Sequence, residues 1–133
     1  MLHFGLVRDI YKDDYYRMRE EDLLPVRWMA PESLMIRTFT SQSDVWSFGV
    51  LMWEITSLSE QPYSAKTNEE VINYVLDGGR LPMTLNCPSA LYQLMLRCWS
   101  AADARPNFEF CLNNIITLRQ NIEDALLSPV DTI

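Results

Sequence analysis

Three tyrosines near the start of this 133-residue chain are the first groups that could take part in chemistry. Tyr11, Tyr15 and Tyr16 stand among charged side chains in a segment without helical or strand periodicity, which favours a loop. A tyrosine hydroxyl in a loop can accept a phosphate, which adds about −1.5 to −2 charges and several strong acceptor oxygens that nearby arginines can bind. The pattern alone leaves two interpretations open: phosphorylation sites, or an ordinary solvated loop.

The cysteines predict no disulfide framework and no metal site. Cys87, Cys98 and Cys111 form an odd set that contains no C-x-x-C pair, so a four-ligand zinc site does not follow from them. Cys98 and Cys111 each fall on an apolar helical face, which favours small buried side chains without a reactive role. Unpaired cysteines are typical of a reducing, intracellular setting.

Composition and charge exclude several classes of function. An apolar fraction of 48% predicts a folded domain rather than a disordered chain, and the length suits one domain. A net charge of −7 argues against a nucleic-acid partner or an anionic membrane surface. No signal peptide is apparent at the start, and the longest apolar run, residues 45–55, is well short of the roughly 20 residues that span a bilayer. We expect a cytoplasmic chain without direct membrane insertion.

A very apolar helix is predicted to form the centre of the fold. Ser41 or Ser43 can cap it, and Asp44 falls in its first turn. Residues 45–55 then carry apolar side chains on every face, which predicts a helix buried on all sides. Gly49 marks a point where another backbone can come close.

Three further helices are predicted around this central one. Thr67 and Glu70 form a capping-box pattern at the start of a helix that ends at Gly78 and Gly79. Another helix should run over residues 88–99, with Pro88 in its first turn. A last helix should run over residues 108–122 after an Asn107 cap, with fraying beyond Asp124. The fold class is therefore mostly α, about four main helices around a buried central helix, without a clear strand.

The sequence of residues 25–32, Pro-Val-Arg-Trp-Met-Ala-Pro-Glu, resembles the end of the activation segment of a protein tyrosine kinase. Phe4 and Gly5 resemble the opening of that segment, and the three tyrosines resemble its phosphorylated portion. The tyrosine spacing is similar to that of the insulin-receptor and sevenless/Ros groups. The resemblance to the C-terminal lobe of a receptor tyrosine kinase extends from Phe4 to about residue 122.

This resemblance implies a domain organisation and a function for the intact parent. Residues 1–123 would be a partial kinase domain, with an activation segment at 3–32 and a helical subdomain at 33–123, and residues 124–133 a C-terminal tail. The parent would transfer the γ-phosphate of ATP to protein tyrosine in transmembrane signalling, with ATP and Mg²⁺ as cofactors. Its kinase domain would lie on the cytoplasmic side of the plasma membrane.

The resemblance also assigns roles to individual residues. Tyr11, Tyr15 and Tyr16 become expected phosphorylation sites. A second set would bind the residue that follows the substrate tyrosine: Leu23, Leu24, Pro25 and Val26. These roles imply protein tyrosine substrates or an activating kinase as partners, and phosphotyrosine-binding domains once the tyrosines are modified.

Three residues receive structural roles. Glu32 and Arg105 should form a buried ion pair, because a guanidinium matches a carboxylate through two parallel hydrogen bonds. Asp44 resembles the aspartate that hydrogen-bonds the kinase catalytic loop. Since that loop is not in this sequence, Asp44 should keep only its favourable charge at a helix N-terminus.

The sequence departs from the kinase pattern where the chemistry of the family is concentrated. His3 stands where the magnesium-binding aspartate is expected, and imidazole is not a usual Mg²⁺ ligand. The glycine loop, the ATP-pairing lysine and the catalytic loop would all precede residue 1, as would the N-terminal lobe. We therefore expect no catalytic residue, metal site or cofactor in this chain, no phosphate transfer by it alone, and an uncovered apolar patch along the 45–55 helix.

Two functions remain open at this point. The first is the C-terminal portion of a receptor tyrosine kinase whose intact form is the enzyme. The second is a noncatalytic module that offers phosphotyrosines, or a substrate-like surface, and so recruits or interferes with other kinases.

Overall fold

The computed structural model describes residues 24–127, and this part of the chain is built from helices without a β-strand. Its five α-helices are α1 (Pro31–Ile36), α2 (Ser41–Thr56), α3 (Asn68–Leu76), α4 (Ser89–Cys98) and α5 (Phe108–Leu127). Short 3-10 turns lie at Val26–Trp28 and Ala102–Ala104. The predicted mostly helical fold is confirmed for these residues.

The central helix α2 begins one residue earlier than predicted. Thr40 is its N-cap: the Thr40 hydroxyl accepts from the backbone N–H of Ser43 at 3.3 Å, and the Ser43 hydroxyl accepts from the backbone N–H of Thr40 at 2.7 Å. The prediction of Ser41 or Ser43 as cap was wrong, because Thr40 has the extended backbone of a capping residue while Ser43 already lies within the helix.

Most of α2 is buried, as its composition predicts. Trp46 and Val50 are 1% and 0% exposed. Ile55 is the exception among the apolar side chains of the helix, at 66% exposed. Phe48 is half-buried and packs edge-on against Phe108 of α5, with ring centroids 5.7 Å apart. The apolar surface that α2 leaves uncovered is thus confined to its C-terminal end and to parts of one face.

Gly49 lies where α2 packs tightly against side chains at the end of α4. A Cβ atom at this position would lie 2.6 Å from Nε1 of Trp99 and 3.0 Å from Cβ of Cys98. Glycine therefore allows the two helices to pack closely, and any larger residue at this position would push them apart. The core lies around this contact, where the rings of Trp46 and Trp99 are 6.4 Å apart between centroids.

Helix α3 has the predicted capping box. The Thr67 hydroxyl accepts from the backbone N–H of Glu70 at 3.2 Å, and the Glu70 carboxylate accepts from the backbone N–H of Thr67 at 2.8 Å. Gly78 follows the end of the helix with a φ of 99°, a left-handed value that glycine adopts without steric cost.

The last two helices differ from their predicted limits: α4 is one residue shorter at each end, and α5 extends further at its C-terminus. Pro88 precedes α4 as its N-cap and is not in its first turn. Asn107 caps α5 as predicted, since its side-chain oxygen accepts from the backbone N–H of Phe110 at 2.8 Å. The helix continues through residues 125–127, so the expectation of fraying was wrong for these three residues; residues 128–133 lie outside the described part of the chain. Side-chain pairs four residues apart support this last part, among them Gln120 with Asp124 at 3.1 Å.

No helix among residues 24–127 is long and apolar enough to cross a lipid bilayer.

Candidate functional site

Residues 24–26 are the part of the predicted substrate-binding set that the structure describes, and Arg27 and Trp28 complete the segment 24–28. Leu24 and Pro25 are half-buried, and Val26 is 5% exposed at the start of a single 3-10 turn. Leu23 lies outside the described residues, as do Tyr11, Tyr15, Tyr16 and His3.

Trp28 joins one side of this segment to the central helix α2 by hydrogen bonds. Its indole N–H donates to Oε1 of Glu54 at 2.7 Å, and its backbone carbonyl accepts from the hydroxyl of Ser47 at 2.7 Å. Both partners lie on α2, so the position of the turn is tied to the most buried element of the fold.

Arg27 joins the other side of the 24–28 segment to the loop between α2 and α3 by hydrogen bonds. Its Nη1 donates to the carbonyls of Pro62 and Tyr63 at 2.9 and 2.8 Å, and its Nη2 donates to the carbonyl of Lys66 at 2.7 Å. Its Nε donates to Oδ1 of Asn68 at 3.1 Å. The sequence indicated Arg27 only as a member of the Pro-Val-Arg-Trp run of the 25–32 motif and gave it no contact of its own.

Glu32 and Arg105 are brought together across the fold. Nη1 of Arg105 donates to Oε2 of Glu32 at 2.7 Å, and Nη2 donates to Oε1 at 2.9 Å. The same guanidinium donates to the carbonyls of Gln42 and Ser100 at 3.0 and 2.8 Å. The side chain of Arg105 is 1% exposed and that of Glu32 is 25% exposed. This arrangement neutralises the buried guanidinium and joins α1 to the start of α2 and to the turn that precedes α5.

The pKa of Glu32 reflects two opposed effects. Partial burial raises the pKa of this carboxyl, but the hydrogen bonds from Arg105 and from its own backbone, together with the charge of Arg105, outweigh burial and leave the pKa below its ordinary value. Glu32 therefore remains ionised at neutral pH.

Asp44 lies in the first turn of α2, one residue after Ser43. Burial raises the pKa of its carboxyl above the ordinary value. A carboxylate in this turn lies close to the positive end of the helix dipole, which is the role that remained for Asp44 in the sequence analysis.

The described residues do not fit Mg²⁺ or another metal ion. No group of three or more His, Cys, Asp or Glu side chains within 24–127 is arranged to hold one. Cys98 and Cys111 lie with their sulfur atoms 3.8 Å apart and are both completely buried, and burial raises the pKa of both thiols. These two thiols are part of the core.

Comparisons with known proteins agree on one family. A family model described as protein tyrosine and serine/threonine kinase matches residues 1–115. The human proto-oncogene tyrosine-protein kinase ROS is 63% identical over 106 residues, which cover 79% of this chain and 4% of that protein.

Two further relatives come from flies and humans. The protein sevenless of Drosophila virilis is 53% identical over 129 residues, which cover 96% of this chain and 5% of sevenless. The human insulin receptor-related protein is 53% identical over 113 residues, which cover 84% of this chain and 9% of that protein. The chain spans less than a tenth of the length of these relatives.

Proposed function

The chain belongs to the protein tyrosine and serine/threonine kinase family, and from this premise we propose that it forms the substrate-facing part of a receptor tyrosine kinase domain. The intact kinase transfers the γ-phosphate of ATP to a tyrosine hydroxyl of a protein. The observation that carries the proposal is the 24–28 segment, which is bonded to α2 through Trp28 and to the α2–α3 loop through Arg27.

In this proposal the described residues bind and orient the acceptor. Val26 points its side chain into the core, so the half-buried Leu24 and Pro25 provide an apolar surface for the residue that follows the substrate tyrosine. The Glu32–Arg105 pair holds α1, which begins three residues after the 3-10 turn, and so supports the same surface from the other direction. Reaction rate in phosphoryl transfer depends mainly on such positioning and on charge stabilisation.

The 133-residue polypeptide by itself is proposed not to transfer phosphate. Its four glycines are Gly5, Gly49, Gly78 and Gly79, a spacing that cannot form a G-x-G-x-x-G loop over the phosphates of ATP. Position 3 carries a histidine in place of a magnesium-binding aspartate, and residues 24–127 do not fit a metal ion. The phosphate-donor half of the reaction therefore has to come from other residues of the kinase.

A chimaeric kinase tests the proposal. Residues 4–127 of this chain would replace the corresponding residues of the human ROS kinase, so that the residue before Phe4 and the remainder of the kinase domain come from ROS. We expect the chimaera to phosphorylate a peptide with an apolar residue after its tyrosine, and not the same peptide with phenylalanine at the tyrosine. The 133-residue polypeptide alone should phosphorylate neither. A folded chimaera without tyrosine transfer, or transfer by the isolated polypeptide, would contradict the proposal.

A second candidate function follows from the three tyrosines of the acidic segment. When Tyr11, Tyr15 and Tyr16 are phosphorylated by an active kinase, the chain becomes a ligand for phosphotyrosine-binding domains without any catalysis of its own. Titration of such a domain with the phosphorylated and unphosphorylated chain tests this function. Equal affinity for the two forms would eliminate it.

A further inference from the structure

Arg27 joins two parts of the chain that are far apart in sequence. Its four hydrogen bonds reach acceptors 35 to 41 residues away, and each of its three side-chain nitrogens donates at least one. Four of the five N–H donors of the guanidinium are thus engaged within the fold.

Three of the four acceptors of Arg27 lie in the α2–α3 loop, which contains an unfavourable backbone conformation. Tyr63 has a φ of 54°, a left-handed conformation that is unfavourable for a bulky residue, and its side chain is 8% exposed. Its carbonyl accepts from Arg27 and also from the backbone N–H of Lys66 at 2.9 Å. Arg27 therefore stabilises an unusual backbone geometry while the loop, in return, fixes the position of Arg27.

The backbone hydrogen bonds of the 24–28 segment are too few to fix its conformation without other contacts. Its backbone makes two internal hydrogen bonds, from the Val26 N–H to the Leu24 carbonyl at 2.8 Å and from the Trp28 N–H to the Pro25 carbonyl at 2.9 Å. The Met29 N–H, just outside the segment, donates to the Val26 carbonyl at 3.2 Å. Isolated turns of this length are marginal in water. The side chains of Arg27 and Trp28, two adjacent residues, supply the anchors on the loop side and on the α2 side.

We propose that Arg27 is a positioning residue that fixes the substrate-facing segment against the α2–α3 loop, and that it thereby sets the preference of the kinase for an apolar residue after the substrate tyrosine. This inference rests on the proposed function. Arg27 acts by keeping Leu24 and Pro25 in position. It does not contact the reacting groups.

Replacement of Arg27 by lysine separates the effect of the positive charge from that of the hydrogen-bond geometry. Lysine keeps the positive charge, but its single Nζ atom cannot reproduce the fork that reaches the Pro62, Tyr63 and Lys66 carbonyls together with Asn68. Arg119 offers a matched control, because its side chain is 78% exposed and its ion pair is with Glu123 of the same helix.

The test compares R27K and R119K with the unmodified chimaeric kinase on two peptides that differ only after the tyrosine, leucine in one and glutamate in the other. The ratio of kcat/KM for the two peptides should fall roughly 10-fold in R27K, chiefly through a higher KM for the leucine peptide, because a displacement of about 1 Å in a positioning group has effects of this size or larger. The KM for ATP should stay within about twofold of its original value. R119K should retain the original ratio.

An unchanged ratio in R27K overturns the inference while the proposed function stands. An unmodified chimaera without tyrosine transfer overturns the proposed function instead, and amide hydrogen exchange then decides the role of Arg27. In R27K, exchange should accelerate together in residues 25–28 and 61–68, with α4 protected as before. Exchange that is unchanged, or that accelerates throughout residues 24–127, would overturn the positioning role.

Discussion

Arg105 donates from two different nitrogen atoms to the two carboxylate oxygens of Glu32, across 73 residues of sequence. The pair joins α1, which follows the 24–28 segment, to the turn before α5. Its geometry is the bidentate one in which an arginine and a carboxylate bind most strongly. The Arg105 side chain is 1% exposed, so either residue without the other would leave a costly charge inside the protein.

Replacement of Arg105 by alanine should lower the free energy of unfolding by about 3 kcal/mol, because it leaves the Glu32 carboxylate partly buried without its partner and removes the donors to Gln42 and Ser100. Urea denaturation followed by tryptophan fluorescence measures the change. R119A removes an exposed arginine and should stay within about 0.5 kcal/mol of the original protein. Equal midpoints for R105A and R119A would show that the pair contributes little.

The contribution of Glu32 should depend on pH in a defined direction. Its pKa in the folded protein lies below the ordinary value of 4.5, so the stabilisation is fully present above that value and is lost as the pH falls through the lower, folded pKa. The difference in unfolding free energy between the original protein and E32Q should therefore be constant near neutral pH and shrink below about pH 4.5. E60Q, at an exposed loop position, serves as the control. A difference that grows on acidification would contradict the assignment.

Gly49→Ala should destabilise the protein although alanine favours helices. The helix preference is worth up to about 1 kcal/mol, whereas overpacking of a tight contact costs about 1 to 3 kcal/mol. The new methyl would lie 2.6 Å from Nε1 of Trp99. Thermal unfolding should show a lower midpoint temperature for G49A than for the original protein. The midpoint of S41A, a change at an exposed position in the first turn of α2, should be almost unchanged. A stabilised G49A would mean that α4 moves aside without cost.

Cys98 and Cys111 should resist alkylation in the folded protein. Both side chains are 0% exposed, and burial raises the pKa of both thiols, so little thiolate forms and reagents cannot reach it. Iodoacetamide at pH 8 should modify these two residues at least roughly 10²-fold more slowly in buffer than in 8 M urea, about the concentration that unfolds most small domains. Peptide mapping by mass spectrometry measures the rates. Similar rates under the two conditions would show that α4 and α5 separate readily.

Tyr11, Tyr15 and Tyr16 are expected to accept phosphate from a related active kinase. Intact-mass analysis after incubation with that kinase and ATP should show up to three added phosphates, and a variant with all three tyrosines changed to phenylalanine should show none at these positions. Tyr74, on α3, is an internal comparison because its hydroxyl donates to the Arg80 carbonyl at 3.0 Å. Absence of phosphate from all three expected sites would contradict the prediction.

Local signals predicted most of the helices. The capping box of Thr67 and Glu70 and the cap at Asn107 depend on a few neighbouring residues, and both are present. The errors arose where two local signals compete: Thr40 and Ser43 share one capping box, and a sequence with several hydroxyl residues does not show which of them lies outside the helix. The continuation of α5 to Leu127 depends on pairs such as Gln120 with Asp124, which are individually weak.

The candidate site was only partly predictable for a different reason. The motif at residues 25–32 identified the segment, but the acceptors of Arg27 are carbonyl groups, and every residue has one. Which carbonyls accept from Arg27 depends on the left-handed backbone conformation at Tyr63, and no residue type near that position predicts this conformation. Contacts between a side chain and a distant backbone have no pattern in sequence, so Arg27 became visible only in three dimensions.

The 73 residues between Glu32 and Arg105 also set an order of events during synthesis. A ribosome adds about 5 to 20 residues each second, so the carboxylate waits several seconds before its arginine is even made, and longer before that arginine leaves the exit tunnel. Until then α1 has no permanent partner for its charge. The charged contact of α1 is therefore completed later than the contacts of the 24–28 segment, whose partners lie between residues 47 and 68. Premature termination before Arg105 would release a polypeptide in which Glu32 lacks its partner.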